Sequence, residues 1–258
     1  MNKILALDFD GVICDGMAEY FHSSRLTYES IWKNPVNNLD HSREIFNYLR
    51  PTIETGWEMP LIFRAIEMEK NKQFLFSNWQ NIVKNILKKD NITKEKIAKE
   101  LDLVRQNQIN NNIEQWLGLH NFYDDIVEAI KAIIYKNYKI FIITTKEGIF
   151  AKKILASQNI DTDKITFWGK EQKRKKYDSI RVILDQEKVK PTDICFIEDR
   201  LEALEGVRQQ PDLAGIRLFL ASWGYNTPDI RASVTPESGI TLLSLTDFTK
   251  GDMVNLFS

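Results

Sequence analysis

Four short apolar runs constrain the fold of this sequence more than any other feature. They are Ile4–Leu7, Ile140–Ile143, Ile194–Ile197 and Ile216–Leu220, the last of which is interrupted by Arg217. Continuous apolar runs of this length are typical of strands that are buried on both faces of a parallel sheet. Acidic or hydroxyl residues directly follow three of the runs, namely Asp8, Thr144 and Glu198. Because ligands bind beyond the carboxyl ends of the strands in such sheets, we expect the chemistry of this chain there.

Apolar residues at helical spacing fill the segments between the later strands, as at Ile126, Ile130 and Ile133. Strand and helix patterns therefore alternate from Tyr123 to Leu220. This alternation predicts βαβ units in a doubly wound parallel sheet, which is an α/β fold of the Rossmann-like type. With 43% hydrophobic and 28% charged residues, the chain has the composition of an ordinary globular protein.

Residues 17–117 differ from the rest, because they lack β-branched runs and are rich in Lys, Glu, Asn, Leu and Ile at helical spacing. Within them we predict helices over Phe74–Leu87 and Thr93–Val104. The predicted domains are therefore a catalytic core at 1–16 and 118–258 and a helical insert at 17–117.

The charge and the cysteine content exclude several classes of protein. A formal net charge of −1 gives no reason to expect a nucleic-acid or acidic-lipid partner. The two cysteines, Cys14 and Cys195, are too few for the disulfide framework of a secreted domain. We expect no secretion signal, and no apolar run reaches the roughly 20 residues that a membrane span needs. The sequence thus predicts a cytoplasmic protein with a small-molecule partner, and it indicates no particular oligomeric state.

The residues Asp8-Phe9-Asp10-Gly11-Val12 close the first predicted strand. A carboxylate such as Asp8 can attack phosphorus to form an aspartyl-phosphate, and Asp10 can protonate the leaving oxygen and later activate water. Alternate residues of an extended strand share a face, which brings both carboxyl groups to one site. This motif resembles the Asp-x-Asp-Gly-(Val/Thr) signature of the haloacid dehalogenase-like phosphotransferases, which also follows an apolar strand.

Two further elements of that family have counterparts in this sequence. Thr144 matches the Ser or Thr that ends a strand, and its hydroxyl and the amide of Thr145, near a helix start, can donate to phosphate oxygens. The family also carries a lysine ahead of a helix, which balances phosphate charge. The candidates for it are Lys170, Lys173, Lys175 and Lys176. We favour Lys176 because it directly precedes a periodic helix, although the prolines that often surround this lysine are absent.

Acidic residues after another strand are the fourth element of the family. Three acids follow the third apolar run, without the commoner Gly-Asp form: Glu198, Asp199 and Glu202. The resemblance implies a Mg²⁺ ion held by Asp8, the backbone carbonyl of Asp10 and Asp199, with Glu198 or Glu202 acting through water. Arg200 is expected to hold these acids by charge-assisted hydrogen bonds.

The resemblance extends over about 1–16 and 120–247, and it implies a core with a helical cap inserted after the first motif. It predicts a Mg²⁺-dependent phosphatase that hydrolyses a small phosphomonoester, phosphoglycolate-like or another small organic phosphate. The alternatives are a sugar phosphomutase of the same superfamily and a catalytically idle member that binds a partner. A P-loop ATPase is excluded, because the sequence contains no Gly-x-x-x-x-Gly-Lys loop.

Overall fold

The computed structural model describes residues 3–68 and 70–257. The chain divides into two compact units, Met1–Asp15 with Asn121–Ser258 and Gly16–His120. We call the first the core unit and the second the helical unit. The sequence predicts the helical insert at 17–117, and its function as a cap stays a prediction.

The strands all belong to the core unit. Numbered along the chain, they are β1 (Ile4–Leu7), β2 (Cys14–Asp15), β3 (Asn121–Phe122), β4 (Lys139–Ile143), β5 (Ile165–Trp168), β6 (Ile194–Glu198), β7 (Arg217–Ala221) and β8 (Thr241–Leu243). Six of them form a parallel sheet in the order β5-β4-β1-β6-β7-β8. The short strands β2 and β3 pair antiparallel, where the chain leaves and re-enters the core unit.

Strand β1 lies at the point where the strand order of the sheet reverses. Leu7 is level with Ile142 of β4 on one side and with Ile197 of β6 on the other. The connections from β4 and β6 therefore lead away from β1 in opposite directions. In open α/β sheets such a reversal leaves a crevice beyond the carboxyl ends of the strands, which is where ligands bind.

Both faces of the sheet are covered. Ile4 and Ala6 belong with Ile183 and Phe196 to an apolar cluster on one face. Successive side chains of a strand point to opposite faces, so Leu5 lies on the other face, and it is fully buried as well. Covered faces are what a parallel sheet requires, and the predicted doubly wound α/β class is confirmed.

The helices follow the same division into units. Those of the helical unit are α1 (Met17–Trp32), α2 (Leu39–Leu49), α3 (Met59–Ile66), α4 (Lys72–Ser77), α5 (Trp79–Lys89) and α6 (Lys94–Leu117). Those of the core unit are α7 (Ile126–Tyr135), α8 (Gly148–Ala156), α9 (Lys176–Glu187), α10 (Leu201–Arg208), α11 (Pro228–Ser233) and α12 (Leu245–Lys250). Short 3-10 helices lie at Arg50–Thr52, Gly56–Glu58, Thr162–Lys164, Lys170–Gln172, Pro191–Asp193, Pro211–Leu213, Pro236–Ser238 and Met253–Leu256. Among the described residues, no helix combines the length and the apolar character that crossing a membrane requires.

Aromatic rings and a buried ion pair hold the helical unit together. The rings of Phe21, Phe46 and Phe63 pack on one another at centroid distances of 5.3 to 5.8 Å. Arg105 of α6 donates to both carboxylate oxygens of Glu19 in α1, at 2.7 and 3.0 Å, and Glu19 is completely buried. Burying this charge is tolerated because the guanidinium group lies against it with bidentate geometry.

The helical unit departs from the predicted helices at two asparagines. The helix predicted over Phe74–Leu87 is interrupted at Asn78, whose side chain donates to the carbonyl of Phe74. Helix α6 extends well beyond its predicted end and contains the non-helical residue Asn112, whose side-chain oxygen accepts from the N–H of Gln115. Asparagine side chains compete with the backbone for hydrogen bonds, which explains both interruptions.

The sequence does not predict the two edge strands of the sheet, β5 and β8. In β5 only Ile165 is buried, and Thr166 is exposed. In β8 only Leu243 is buried. Strands that are half exposed and this short have no continuous apolar run, so their pattern does not stand out from that of a loop.

Candidate active site

Three acidic side chains converge at the carboxyl ends of β1 and β6. Asp8 follows β1, and its backbone N–H donates to the carbonyl of Ile197 in β6 at 2.9 Å. Glu198 ends β6, and Asp199 follows it. This register brings the ends of the two strands level, so that one oxygen from each carboxylate lies within 4.8 Å of the others. All three acidic residues are buried.

Lys176, the first residue of α9, brings a positive charge to this acidic cluster. Its Nζ lies 3.0 Å from Oδ1 of Asp8 and also pairs with Oε2 of Glu198. The other candidate lysines are exposed: Lys170, Lys173 and Lys175. The geometry therefore selects Lys176 as the lysine that can balance charge at this site.

Burial governs the charge state of the acidic cluster. It raises the pKa of Asp8 to about 7, and the carboxylate of Glu198 adds to the rise, whereas Lys176 opposes it. Burial likewise raises the pKa of Glu198 to about 7 against the opposing effect of Lys176. For Lys176, burial lowers the pKa, but the two carboxylates outweigh this effect and raise the pKa above its usual range. Lys176 therefore stays charged, and the two carboxylates share its single positive charge.

Two glycines and two backbone contacts fix the orientation of Asp199. A Cβ on Gly11, which has a φ of +88°, would lie 2.2 Å from Oδ2 of Asp199, and a Cβ on Gly224 would lie 2.2 Å from its Cβ. The N–H of Tyr225 donates to Oδ2 at 2.8 Å, and the side chain of Asn226 donates to the Asp199 carbonyl at 2.9 Å. Sequence reasoning missed Gly224, Tyr225 and Asn226, although they lie just beyond the fourth apolar run, where ligand-binding residues are expected.

Asp10 lies beside this cluster in a tight turn, in which the N–H groups of Ile13 and Cys14 donate to the carbonyl of Phe9. Its Oδ1 is 3.4 Å from Nζ of Lys146, and both side chains are largely buried. Sequence reasoning did not select Lys146, because functions in that segment were assigned only to Thr144 and Thr145. Its position shortly after a predicted strand is the signal that could have identified it.

A comparison with protein-family models shows which family the chain belongs to. The model described as a haloacid dehalogenase-like hydrolase matches residues 2–209. The chain belongs to the haloacid dehalogenase-like hydrolases. The predicted family is therefore confirmed. No match was found among curated proteins.

Solved structures with the same fold cover nearly the whole hydrolase. A predicted phosphatase from Clostridium acetobutylicum has a TM-score of 0.59 and 14% identity, covering 97% of each chain. A predicted phosphoglycolate phosphatase from Haemophilus somnus has a TM-score of 0.62 and 13% identity, covering 96% of each chain. A Thermotoga maritima protein provisionally described as a beta-phosphoglucomutase has a TM-score of 0.55 and 18% identity, covering 96% of this chain and 97% of its own. At these identities the likeness shows a shared fold.

Thr144 and Thr145 of the hydrolase occupy different surroundings. Thr144 is buried, its N–H donates to the carbonyl of Trp168 at 2.9 Å, and its hydroxyl accepts from the N–H of Lys146 at 3.0 Å. Thr145 is exposed, and α8 begins only at Gly148 rather than next to it. The Thr144 hydroxyl thus keeps its own hydrogen free to donate, and the assigned functions of both threonines stay predictions.

Glu202 does not join the acidic cluster. It lies in α10 with 66% of its side chain exposed, and its Oε2 is 3.5 Å from Nη2 of Arg200. The backbone N–H of Arg200 also donates to Oε1 of Glu198 at 3.1 Å. Of the two acids predicted to act on the metal through water, Glu198 is therefore the one with suitable geometry.

The described residues at this site fit a Mg²⁺ ion in ligand chemistry and in charge. Mg²⁺ prefers oxygen ligands, and the cluster offers carboxylate oxygens within 4.8 Å of one another. The carboxylates that meet here are Asp8, Asp10, Glu198 and Asp199, and the ammonium groups are Lys146 and Lys176. When all four carboxylates are ionised, two negative charges are left over, which is the charge that one Mg²⁺ ion balances.

The raised pKa values predict how Mg²⁺ stabilises the protein at different pH. With chelator, the folded state keeps protons on Asp8 and Glu198 between about pH 4 and 7 that the unfolded state has lost. The contribution of these two groups to the free energy of unfolding therefore falls as pH rises through this window. Mg²⁺ needs deprotonated ligands, so it should raise the melting temperature more at about pH 7.5 than at about pH 5.5. Thermal unfolding with Mg²⁺ and with chelator at both pH values measures this. Equal shifts at both pH values would contradict the assignment, and Asp199→Asn should reduce the shift.

Gly224→Ala should lower both the stability and the Mg²⁺ affinity, because the new Cβ overlaps Asp199. Overpacking of this kind costs about 1–3 kcal/mol. The matched control is Gly206→Ala in α10, where the new Cβ would meet Tyr177 at an ordinary 3.7 Å. Replacing a glycine inside a helix with alanine stabilises by roughly 0.5–1 kcal/mol. This control should therefore unfold at a higher denaturant concentration and bind Mg²⁺ with unchanged affinity. Denaturant unfolding and calorimetric titration measure both effects, and unchanged Mg²⁺ binding by Gly224→Ala would contradict the proposed cradle.

Proposed function

We propose that this chain is a Mg²⁺-dependent phosphatase that hydrolyses a small phosphomonoester through an aspartyl-phosphate on Asp8. The observation that carries the proposal is the Asp8 carboxylate, which is buried beside Lys176 and within reach of Glu198 and Asp199. The names given to the similar structures from C. acetobutylicum and H. somnus support this class of reaction. The substrate is then a small organic phosphate, phosphoglycolate or a compound like it.

In the first step, an oxygen of Asp8 forms a bond to phosphorus while the bond from phosphorus to the alcohol oxygen breaks. Asp10 gives its proton to the departing oxygen, so that an alcohol leaves rather than an alkoxide. Lys176 remains against Asp8 and balances part of the negative charge that the phosphoryl group brings. The Thr144 hydroxyl accepts from a backbone N–H and still has its own hydrogen to donate to a phosphoryl oxygen.

In the second step, a water oxygen attacks the phosphorus of the aspartyl-phosphate and the bond to Asp8 breaks. The Asp10 carboxylate takes a proton from that water, which restores the acid for the next turnover. Inorganic phosphate leaves, and both aspartates return to their starting state. One carboxyl group thus serves both steps, in opposite directions.

Asp8, Asp199 and the backbone carbonyl of Asp10 would hold the Mg²⁺ ion. When bound, the ion supplies the positive charge that lets an anionic substrate approach an anionic nucleophile. Glu198 acts through water in this proposal, because Oε1 already accepts from Arg200 and Oε2 already pairs with Lys176. Asp199 is the better direct ligand, because its orientation is fixed by the surrounding backbone.

A sugar phosphomutase is the second candidate, supported by the name given to the similar structure from T. maritima. Such an enzyme would return the phosphoryl group from Asp8 to the substrate rather than to water. An idle binding protein is less favoured, because the four carboxylates and the two lysines are all in place. The cytoplasmic location and the absence of a nucleic-acid partner stay predictions.

A panel of small phosphomonoesters with Mg²⁺ tests the proposal. Phosphate release is expected with small organic phosphates, and it should disappear in excess chelator. An isomerised sugar phosphate without phosphate release would favour the mutase, and no turnover of any ester by correctly folded protein would favour the binding protein.

Asp8→Asn should abolish formation of the phosphoryl adduct while the fold is retained, because an amide is a far poorer nucleophile than a carboxylate. Mass spectrometry of the protein after reaction with substrate, or trapping with beryllofluoride, measures the adduct. Circular dichroism controls for folding. An adduct at the wild-type level on Asp8→Asn would show that another residue is the nucleophile.

Asp10→Asn should slow the first step by roughly 10²- to 10⁴-fold with alkyl phosphates, which is the usual contribution of a positioned acid or base. The loss should be smaller with p-nitrophenyl phosphate, because p-nitrophenolate leaves without a proton. Single-turnover measurement of the first step separates this effect from the later attack of water. Equal losses with both substrates would mean that Asp10 does not act as the acid.

A further inference from the structure

The proposed chemistry assigns no function to the second lysine of the site, Lys146. Its Nζ lies 3.4 Å from Oδ1 of Asp10, with 5% of the Lys146 side chain and 12% of the Asp10 side chain exposed. Lys176 makes the corresponding ion pair with Asp8 at 3.0 Å. The two aspartates of the motif thus each pair with their own lysine, one that follows β4 and one that begins α9.

The backbone around Lys146 is held on both sides. Its N–H donates to the Thr144 hydroxyl at 3.0 Å, and its carbonyl accepts from the N–H of Lys170 at 2.9 Å. The carboxylate of Glu171 then bridges the two loops that meet there, accepting from the N–H of Gly148 at 3.1 Å and of Gly169 at 3.0 Å. The base of the Lys146 side chain is therefore fixed relative to the sheet.

The close contact between these two loops also explains why residues 148 and 169 are glycines. A Cβ on Gly169 would lie 2.1 Å from the backbone nitrogen of Gly148 and 2.4 Å from the carbonyl oxygen of Lys146. Only a residue without a side chain allows the loop after β5 to come so close to the loop after β4. The loop after β5 therefore packs closely against the backbone of Lys146 and supports it.

We propose that Lys146 is a positioning residue that holds the Asp10 carboxyl group in the place from which it transfers a proton to the leaving oxygen. This inference rests on the proposed function, because it concerns the same site. Asp10 lies in a turn of residues 9–14, so its side chain needs a fixed partner to stay beside Asp8. A buried ammonium group on a rigid support provides that partner through its positive charge.

The test is a double-mutant cycle of Lys146→Met and Asp10→Asn on the rate of the first step. If Lys146 acts through Asp10, Lys146→Met should slow the step with alkyl phosphates at least about tenfold, and by less with p-nitrophenyl phosphate. In the Asp10→Asn background the same substitution should slow the step by no more than about threefold. The KM for the ester should stay within about twofold.

Two further variants control the cycle. Lys152→Met removes a half-exposed lysine of α8, which pairs with Asp163, and it should leave the rate unchanged. Lys146→Arg keeps the positive charge, and it should retain more of the alkyl phosphate rate than Lys146→Met. If Lys146→Met does not fold, the comparison of Lys146→Arg with Lys146→Gln replaces it in the cycle.

The outcomes separate this inference from the proposed function. Equal losses with both esters, or a loss by Lys146→Met that persists fully in the Asp10→Asn background, would show that Lys146 acts on the substrate and would overturn the inference. If the wild-type protein releases no phosphate from any ester, the proposed function fails. The cycle is then measured as melting temperatures, where non-additive shifts support the Asp10–Lys146 pair and additive shifts overturn it.

Discussion

The ammonium group of Lys176 lies between two buried carboxylates, and the active site depends on this contact. Taking an ion out of water costs several kcal/mol, which is why burial raises the pKa of Asp8 and of Glu198 to about 7. A protonated Asp8 is neither a nucleophile nor a metal ligand. Lys176 opposes that protonation, and the charge of a bound Mg²⁺ ion would complete the compensation. The proposed chemistry thus depends on charged groups that the fold buries against an energetic cost.

The course of the backbone brings the carboxylates of Asp8, Glu198 and Asp199 together. Glu198 and Asp199 are neighbours in sequence, and successive residues of a strand point to opposite faces, yet both carboxylates reach one cluster. They do so because β6 ends at Glu198 and the backbone bends at Asp199. Gly11 and Gly224 leave the space that the turned carboxylate fills. The register of β1 against β6 then brings Asp8 to the same level.

The sequence predicts those parts of the fold and the site that have a local sequence pattern. The buried strand β1 and its two aspartates are predictable because a continuous apolar run and an acidic motif are adjacent in the chain. The start of a periodic helix is also a local feature, and it favours Lys176 among the four candidate lysines. Glu202 is different, since helix α10 turns it into solvent while Glu198 remains in the strand. The sequence gives the spacing of these acids but not the direction in which each one points.

Lys146 shows why the rest could not be predicted. Its partner Asp10 is far away in the chain, and only the pairing of β1 with β4 makes them neighbours. The support behind Lys146 depends on a third strand, because β5 carries the loop whose Gly169 and Glu171 close on the loop after β4. The sequence does not predict β5, because its exposed residues interrupt the apolar pattern. The position of Lys146 shortly after β4 makes it a candidate from sequence, but its pairing with Asp10 and the support behind it depend on three strands, so they are found only when the whole sheet is known.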